Sequence, residues 1–132
     1  MSAGKAIFYI LSNHVGTAAL VDARIYPDMA TQKAAYPFIV YSVTSTRPTD
    51  TKDGSSVLDE VSVSVMCYAS TYTASQDIAT QVRAALDRTT GTYSGVVVDS
   101  IRFEDQRSAE MEIDKHVFIT EQAYTARMVR SR

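Results

Sequence analysis

The 132-residue sequence is poor in the residues that mark several protein classes: it has one cysteine, no tryptophan, five glycines and three prolines. A single cysteine, Cys67, excludes an intrachain disulfide. It lies in an apolar run, where we expect a buried structural thiol in a reducing cytosol. The low glycine and proline content, with 45% hydrophobic and 21% charged residues, excludes a disordered or fibrous chain. A chain of this length is expected to form one domain.

The sequence also lacks a surplus of basic residues. Its 13 Lys and Arg are outnumbered by 15 Asp and Glu, which gives a net charge of −2, whereas proteins that grip DNA or anionic lipid usually carry a positive excess. Residues 1–16 contain an apolar run that is too short for a signal peptide or a membrane span. We therefore expect no direct binding to nucleic acid, no export signal and no membrane contact.

Catalytic and metal-binding motifs are missing as well. No phosphate-binding loop, dinucleotide fingerprint, H-E-x-x-H motif or G-x-S-x-G elbow occurs. The two histidines, His14 and His116, are expected to be ordinary polar residues. An apparent calcium loop from Asp50 has Lys52 and Val61 where oxygen ligands are required. We therefore expect no metal and no cofactor, while a small hydrolase or isomerase that uses Asp and Tyr side chains remains open.

Two segments have the period of a helix. Residues 3–14 predict a short first helix that Gly16 ends, within an N-terminal helical region of residues 1–22. The second helix begins with Thr73 and Gln76 in a capping-box pattern and continues as an apolar face that stops before Gly91. The expected helix faces are Ile7, Ile10, Leu11 and His14 in the first helix, and Ile78, Val82, Ala85 and Leu86 in the second.

Five further segments are typical of strands. A brief β-prone stretch, closed by Pro27, precedes two strands at residues 37–47 and 57–68, which are rich in β-branched and aromatic residues. Two closing strands are expected at residues 95–106 and 113–128. We therefore predict an α+β fold in a single domain, with a mostly antiparallel sheet of about four to five strands packed with two helices.

The strand at residues 57–68 has the clearest alternation. One face is apolar and is expected to pack in the core. The other face is mostly polar and is expected to be either exposed to solvent or covered by a partner. The core face contains Val61, Val63, Val65 and Cys67, and the other face contains Glu60, Ser62, Ser64 and Met66. Residues 47–56 before this strand form the predicted hairpin loop, with an Asp53-Gly54 turn.

Charge is distributed unevenly towards the C-terminus. Residues 99–121 contain seven acids and three bases, so this predicted hairpin carries an acidic excess. Arg127, Arg130 and Arg132 then form a basic tail at residues 127–132. The tail is either a frayed soluble end or a segment that docks on an acidic neighbour, and both interpretations stay open.

Two stretches in a fixed order resemble a known family. They are "RIYPDMATQKAAYPFIVYSV" and, after a polar Asp-Gly turn, "VSVSVMCYASTYTASQDIATQVRAAL". Together they resemble the tail-completion, or tail-terminator, proteins of long-tailed bacteriophages, most clearly from Leu20 to Leu86. Residues 24–27 and 36–41 resemble two signature segments of that family, and the strand running into "YASTYTASQDIA" resembles a third. Met66-Cys67 departs from the more polar or aromatic pair that its relatives tend to have.

The resemblance implies a non-enzymatic structural protein of the virion. Such proteins form a ring, typically a hexamer, at the head-proximal end of the tail tube, where they stop tube growth and meet the head connector. The implied partners are copies of the chain itself, the tail tube protein and a head-completion or connector protein, after assembly in the host cytoplasm. A neck or head-completion protein and a tail-tube subunit remain as structural alternatives.

These considerations nominate two sets of residues. Open sheet edges are well satisfied by the strand of a neighbouring subunit, and tyrosines offer amphipathic contact area at a subunit boundary, although tyrosines also commonly pack in cores. An acidic surface lining a pore repels DNA phosphates and lets the genome pass without specific binding. The expected interaction residues are Tyr26, Pro27, Tyr36, Arg47, Lys52, Asp53, Arg127, Arg130 and Arg132, and the expected acidic lumen face is Glu104, Asp105, Glu110 and Glu112.

Overall fold

The computed structural model describes residues 3–29, 35–49, 58–109 and 117–129. They form three helices and six strands. In chain order these are α1 (Ala3–Asn13), α2 (Val15–Val21), β1 (Ile25–Pro27), β2 (Phe38–Pro48), β3 (Leu58–Ala69), α3 (Tyr72–Leu86), β4 (Gly91–Tyr93), β5 (Val96–Ala109) and β6 (Phe118–Val129). No helix in the described ranges is both long and apolar enough to cross a membrane.

The six strands form one sheet in the order β1-β2-β3-β6-β5-β4. β1 runs parallel to β2, and the other neighbouring pairs are antiparallel. The predicted α+β class and mostly antiparallel sheet are confirmed, but four to five strands and two helices is an undercount of what the described residues form. β4 was missed because three residues are too few to show alternation. Its two-residue connection to β5, Ser94 and Gly95, has positive φ at both positions, as a type I′ hairpin turn requires.

The N-terminal helical region divides at His14. This residue has an extended backbone and caps α2, because its ring Nδ1 accepts a hydrogen bond from the Thr17 amide at 3.2 Å. The prediction that Gly16 ends the first helix is therefore wrong, since Gly16 lies inside α2. The capping contact accounts for His14 as a structural polar residue.

The third helix starts earlier than its sequence pattern indicated. Its N-cap is Thr71, whose hydroxyl accepts a hydrogen bond from the Ala74 amide at 3.1 Å. The predicted capping box of Thr73 and Gln76 is wrong, because Gln76 instead donates to the Thr120 hydroxyl on β6 at 2.9 Å. Local sequence does not choose between two threonines that lie two residues apart, and helix ends are the least certain part of such predictions.

One face of the sheet, the inner face, builds the core. α1 and α3 pack against it, and α2 lies against both of these helices. The predicted apolar faces are confirmed as buried: Ile7, Ile10 and Leu11 in α1, Ile78, Val82, Ala85 and Leu86 in α3, and Val61, Val63, Val65 and Cys67 in β3. The opposite side of the sheet, the outer face, carries the alternate residues of each strand.

A polar network anchors α3 on the inner face. Gln122 of β6 is fully buried, and its Nε2 donates to the Ala79 carbonyl at 2.9 Å and to Gln106 Oε1 at 2.8 Å. Tyr124 donates its hydroxyl to Gln122 Oε1 at 2.6 Å. Within the described ranges no buried side-chain nitrogen or oxygen lacks a partner. Such fully satisfied networks specify one position of a helix on a sheet.

All four long strands extend beyond the C-terminal boundaries expected from the sequence, by one residue in β2, β3 and β6 and by three in β5, which ends at Ala109. β2 continues to Pro48, so the first two residues of the predicted 47–56 loop belong to a strand. β6 continues to Val129, where Arg127 pairs with Glu60 of β3 and Ser100 of β5. Arg127 is therefore a strand residue and not part of a frayed tail, because the alternating pattern of β6 continues through it. Residues 50–57, Arg130 and Arg132 lie outside the described ranges.

Candidate assembly surface

The outer face is the main surface that the helices leave uncovered within the described parts of the chain. The register of β3 defines it: Leu58, Glu60, Ser62, Ser64, Met66 and Tyr68 point to this side, together with their cross-strand neighbours on β2 and β6. These six residues are all half-buried, whereas their alternates are buried. The surface has an aromatic end and a charged end, and each contains residues that the sequence nominated.

The aromatic end is a cluster of four rings, Tyr26, Tyr36, Phe38 and Tyr68, which we call the aromatic cluster. Phe38 is its centre: the ring centroids lie 4.6 Å from Tyr68 and 5.2 Å from Tyr36 in stacked geometry, and 5.9 Å from Tyr26 edge to face. The strand pairing explains the arrangement, because Phe38 lies directly opposite Tyr68. Offset stacked and edge-to-face pairs of this kind stabilise a surface beyond the area that they bury.

Exposure within the aromatic cluster is graded. Phe38 is 6% exposed, whereas Tyr36 is 44% exposed. Burial raises the pKa of the Tyr68 hydroxyl, with smaller contributions from Tyr36 and Glu121, so Tyr68 remains a neutral hydroxyl at physiological pH. The nominated Tyr36 thus presents an amphipathic ring to solvent, while Phe38 supports it from below.

The charged end lies where Arg47 and Arg127 flank Glu60. Arg47 forms an ion pair with Glu60 at 3.1 Å, and Glu60 is also the cross-strand neighbour of Arg127. A second ion pair joins Arg107 to Glu121 at 3.1 Å towards the other end of β5 and β6. The pairing of β2, β3 and β6 therefore brings together Arg47 and Arg127, two predicted interaction residues that lie 80 positions apart in the sequence.

The remaining predicted site residues lie outside the two ends of this surface or outside the described ranges. Pro27 is exposed at the end of β1. Glu104 and Asp105 are exposed on β5, and Glu104 forms an ion pair with Arg102 at 3.1 Å. Six nominated residues lie outside the described ranges: Lys52, Asp53, Glu110, Glu112, Arg130 and Arg132. Their interaction and lumen assignments stay predictions.

Both lateral edges of the sheet are only partly covered in the described ranges. β1 pairs with residues 39–41 of β2, and β4 pairs with residues 96–98 of β5, so the rest of each long strand has no described strand beside it. Part of the β5 edge is satisfied locally, since the Arg88 amide donates to the Ile101 carbonyl at 2.7 Å and the Phe103 amide donates to Asp87 Oδ1 at 3.0 Å. The open stretches lie on opposite sides of the sheet, at residues 42–48 and 104–109.

The described residues do not assemble a reactive centre around the cysteine or a metal. They contain no group of three His, Cys, Asp or Glu side chains placed to hold a metal ion. Burial raises the pKa of the Cys67 thiol to about 12, so the thiol stays protonated at neutral pH. This environment fits the structural role that the sequence predicted for Cys67.

Sequence reasoning missed Phe38 and Tyr68 as members of the surface. Both lie in predicted strands, and the alternation already placed Phe38 on the face opposite Ile39. What was lacking is the register that puts Phe38 opposite Tyr68, which depends on pairing across a loop. The sequence signal for this pair is one aromatic residue on each strand of the predicted hairpin, at positions that face each other.

Comparison with known proteins agrees with this architecture. A family model described as "Tail completion protein gp17" matches residues 5–126. No curated protein matches the chain. Among solved structures, a chain in the "Virion of native gene transfer agent (GTA) particle" is 18% identical with a TM-score of 0.74, and the match covers 94% of this chain and 92% of that chain. At that identity the structural likeness shows the fold alone.

Proposed function

Since the chain belongs to the family of tail completion protein gp17, we propose that it forms a ring that caps the head-proximal end of a phage tail tube. Membership of this family makes it a structural component of the virion. In the proposal the ring is hexameric, stops polymerisation of the tube protein and presents the joining surface for the head connector. No enzymatic step is involved.

The proposal of a ring rests on the position of the open strand edges. Residues 42–48 of β2 and residues 104–109 of β5 lie on opposite sides of the sheet, and neither has a strand beside it in the described ranges. Exposed strand edges favour pairing with another chain. A contact between two different sides of the same molecule is heterologous, and it closes into a ring when the rotation between subunits permits.

The aromatic cluster contributes contact area in this proposal. Tyr36 and Tyr26 offer rigid, amphipathic rings at the aromatic end of the outer face, and Phe38 holds them in place through a stacked contact with Tyr36 and an edge-to-face contact with Tyr26. Tyrosines with an apolar body and a polar tip are enriched at protein interfaces for this reason. Glu104 and Asp105, exposed on β5, are assigned to a lumen that repels DNA phosphates as the genome passes.

The proposal is tested by native mass spectrometry of the purified protein with and without tail tubes, followed by electron microscopy of the tubes. We expect a ring at one end of each tube. Long stacks of the protein alone would instead identify a tube subunit, and turnover of a small molecule by its own side chains would identify an enzyme.

The contact role of the aromatic cluster is tested with Tyr26→Ala and Tyr36→Ala. Both variants are expected to fold but to lose the ring mass. Tyr72→Ala is the matched control, because Tyr72 is an exposed tyrosine outside the cluster. If both cluster variants keep the fold and the ring mass, the tyrosines only pack within the subunit.

A further inference from the structure

A cleft lined by arginines lies at the charged end of the molecule. It has a volume of about 670 Å³ between the end of α3 and strands β5 and β6. Four arginines and one aspartate supply its charges. We call it the arginine cleft and define it by Arg83, Arg88, Arg102 and Arg127.

The cleft is built by the connection that follows α3. Asp87 and Arg88 bind the edge of β5 through the two hydrogen bonds to Phe103 and Ile101 described above, and Arg88 takes a left-handed backbone with φ of 62°. A non-glycine residue in that region is uncommon and held by its surroundings. The guanidinium of Arg83 lies 4.0 Å from the centroid of the Phe103 ring, which forms an apolar part of the wall.

Two of the four guanidinium groups are not neutralised in the described part of the chain. Arg83 pairs with Asp87 at 3.7 Å and Arg102 pairs with Glu104 at 3.1 Å. Arg88 and Arg127 are exposed and form no ion pair with any described residue. A planar guanidinium fork binds carboxylates and phosphates through paired hydrogen bonds, so the cleft is suited to an anionic ligand.

We propose that the arginine cleft receives the acidic segment of residues 110–116 from a second copy of this chain. The segment reads "EMEIDKH" and has the densest run of acids in the sequence, three in five residues, alternating with Met111 and Ile113. Its carboxylates complement Arg88 and Arg127, and its apolar side chains complement Phe103. The inference rests on the proposed ring and names one of its contacts.

The contact has to be made between two copies. The segment joins Ala109 to Val117, at the end of the β5–β6 hairpin that is remote from Arg127. From residue 118 to residue 127, β6 spans roughly 30 Å at about 3.3 Å per residue. Because the chain is anchored at Ala109 and Val117, the seven intervening residues can reach at most about 14 Å from those anchors, half the extended length. The acidic segment therefore cannot enter the cleft of its own subunit, and the resulting head-to-tail contact repeats from copy to copy.

The surroundings of the cleft favour a short acidic peptide over DNA. Glu60 is the cross-strand neighbour of Arg127, and Glu104 and Asp105 follow Phe103 on β5. A long polyanion that extends past the cleft meets these carboxylates and is repelled. This assignment places Glu110 and Glu112 in a subunit contact and not in the lumen.

The first test uses a labelled peptide with the sequence of residues 109–117 and the full-length protein. We expect salt-sensitive binding that weakens at least tenfold in Arg88→Glu/Arg127→Glu and at least tenfold when the peptide carries lysine in place of Glu110 and Glu112. The matched control is Arg107→Glu, which reverses the charge of one arginine outside the cleft whose side chain is 69% exposed, and it is compared with the single cleft variant Arg88→Glu. Absence of peptide binding, or equal binding by the cleft variant and the wild type, overturns the proposal.

The second test exchanges charges in the full chain. Arg88→Glu/Arg127→Glu and Glu110→Lys/Glu112→Lys each place like charges in the contact, so each alone is expected to lose ring assembly on tail tubes. A mixture of the two restores opposite charges at every contact and is expected to restore rings of alternating subunits. Rings formed by either variant alone overturn the proposal. If the cleft variant keeps its rings but loses binding to short duplex DNA, the cleft binds DNA and not the acidic segment. Peptide binding without wild-type rings on tubes contradicts the proposed terminator and leaves the cleft assignment standing.

Discussion

The two faces of β3 differ in where their side chains find partners. On the inner face, Val61, Val63 and Val65 are at most 2% exposed and contact the apolar stripes of the helices. On the outer face, Glu60 and Ser64 are half-buried, and their described polar contacts reach only neighbouring strands. The inner face is covered by the helices of the chain itself, whereas no described helix covers the outer face. We therefore expect substitutions on the inner face to change folding and substitutions on the outer face to change assembly.

The largest effect is expected from Ile39→Ala on the inner face. Ile39 is fully buried in the core, so its truncation leaves a cavity and is expected to lower the free energy of unfolding by about 2–5 kcal/mol. Urea denaturation followed by circular dichroism measures the change. Tyr36→Ala, three residues away on the exposed aromatic cluster, serves as the comparison and should cost only about 1 kcal/mol. Equal losses at the two sites would remove the distinction between the faces.

The next effect is expected from the polar network of the inner face. Gln122→Ala removes the partner of the Tyr124 hydroxyl and of the Ala79 carbonyl in a buried site, and we expect a loss of about 2–3 kcal/mol. Tyr124→Phe keeps the ring and removes one hydrogen bond, with an expected loss of about 1–2 kcal/mol. Thermal unfolding of both variants measures the order. A neutral Gln122→Ala variant would show that apolar packing alone holds α3.

Alkaline pH is expected to destabilise the fold in part through the buried Cys67 thiol of the inner face. Burial raises the pKa of the Cys67 thiol from its ordinary value of 9.0 to about 12, so the folded state retains a proton that the unfolded state loses. The contribution is fully present below pH 9 and is lost as the pH rises towards 12, at about 1.4 kcal/mol per pH unit. Urea unfolding at pH 7 and pH 10 should show a smaller pH-dependent loss in Cys67→Ala than in the wild type. An identical loss in both would assign the alkaline sensitivity to the buried tyrosines alone.

The smallest effect is expected at the charged end of the outer face. Arg47→Ala breaks the pair with Glu60, but the Arg47 side chain is 69% exposed, so the expected loss of stability is below about 1 kcal/mol and disappears in high salt. Denaturation at low and high salt measures it. A loss of several kcal/mol that persists in high salt would mean that the outer face contributes to folding as the inner face does.

Local pattern was sufficient for much of the fold. The apolar stripes of α1 and α3 and the alternation of β3 follow from periods of 3.6 and two residues, which depend only on near neighbours. Two of the errors lie where local signals were short or duplicated: the three residues of β4, and Thr71 in place of Thr73 as the helix cap. The candidate surface was found in part, since Tyr26, Tyr36, Arg47 and Arg127 were nominated from the sequence.

The sequence by itself determined which residues are buried on α1, α3 and β3 and that the chain is an α+β domain of the tail-completion type, because burial periodicity and family signatures depend on residues that are close in the sequence. Only the tertiary structure decided which elements lie side by side. Strand order and register put Phe38 against Tyr68, and the end of α3 brings Arg88 beside Arg102 and Arg127 from distant parts of the chain. Pairing between distant strands is selected by the packing of the whole core, so surfaces that depend on it cannot be read from any one segment.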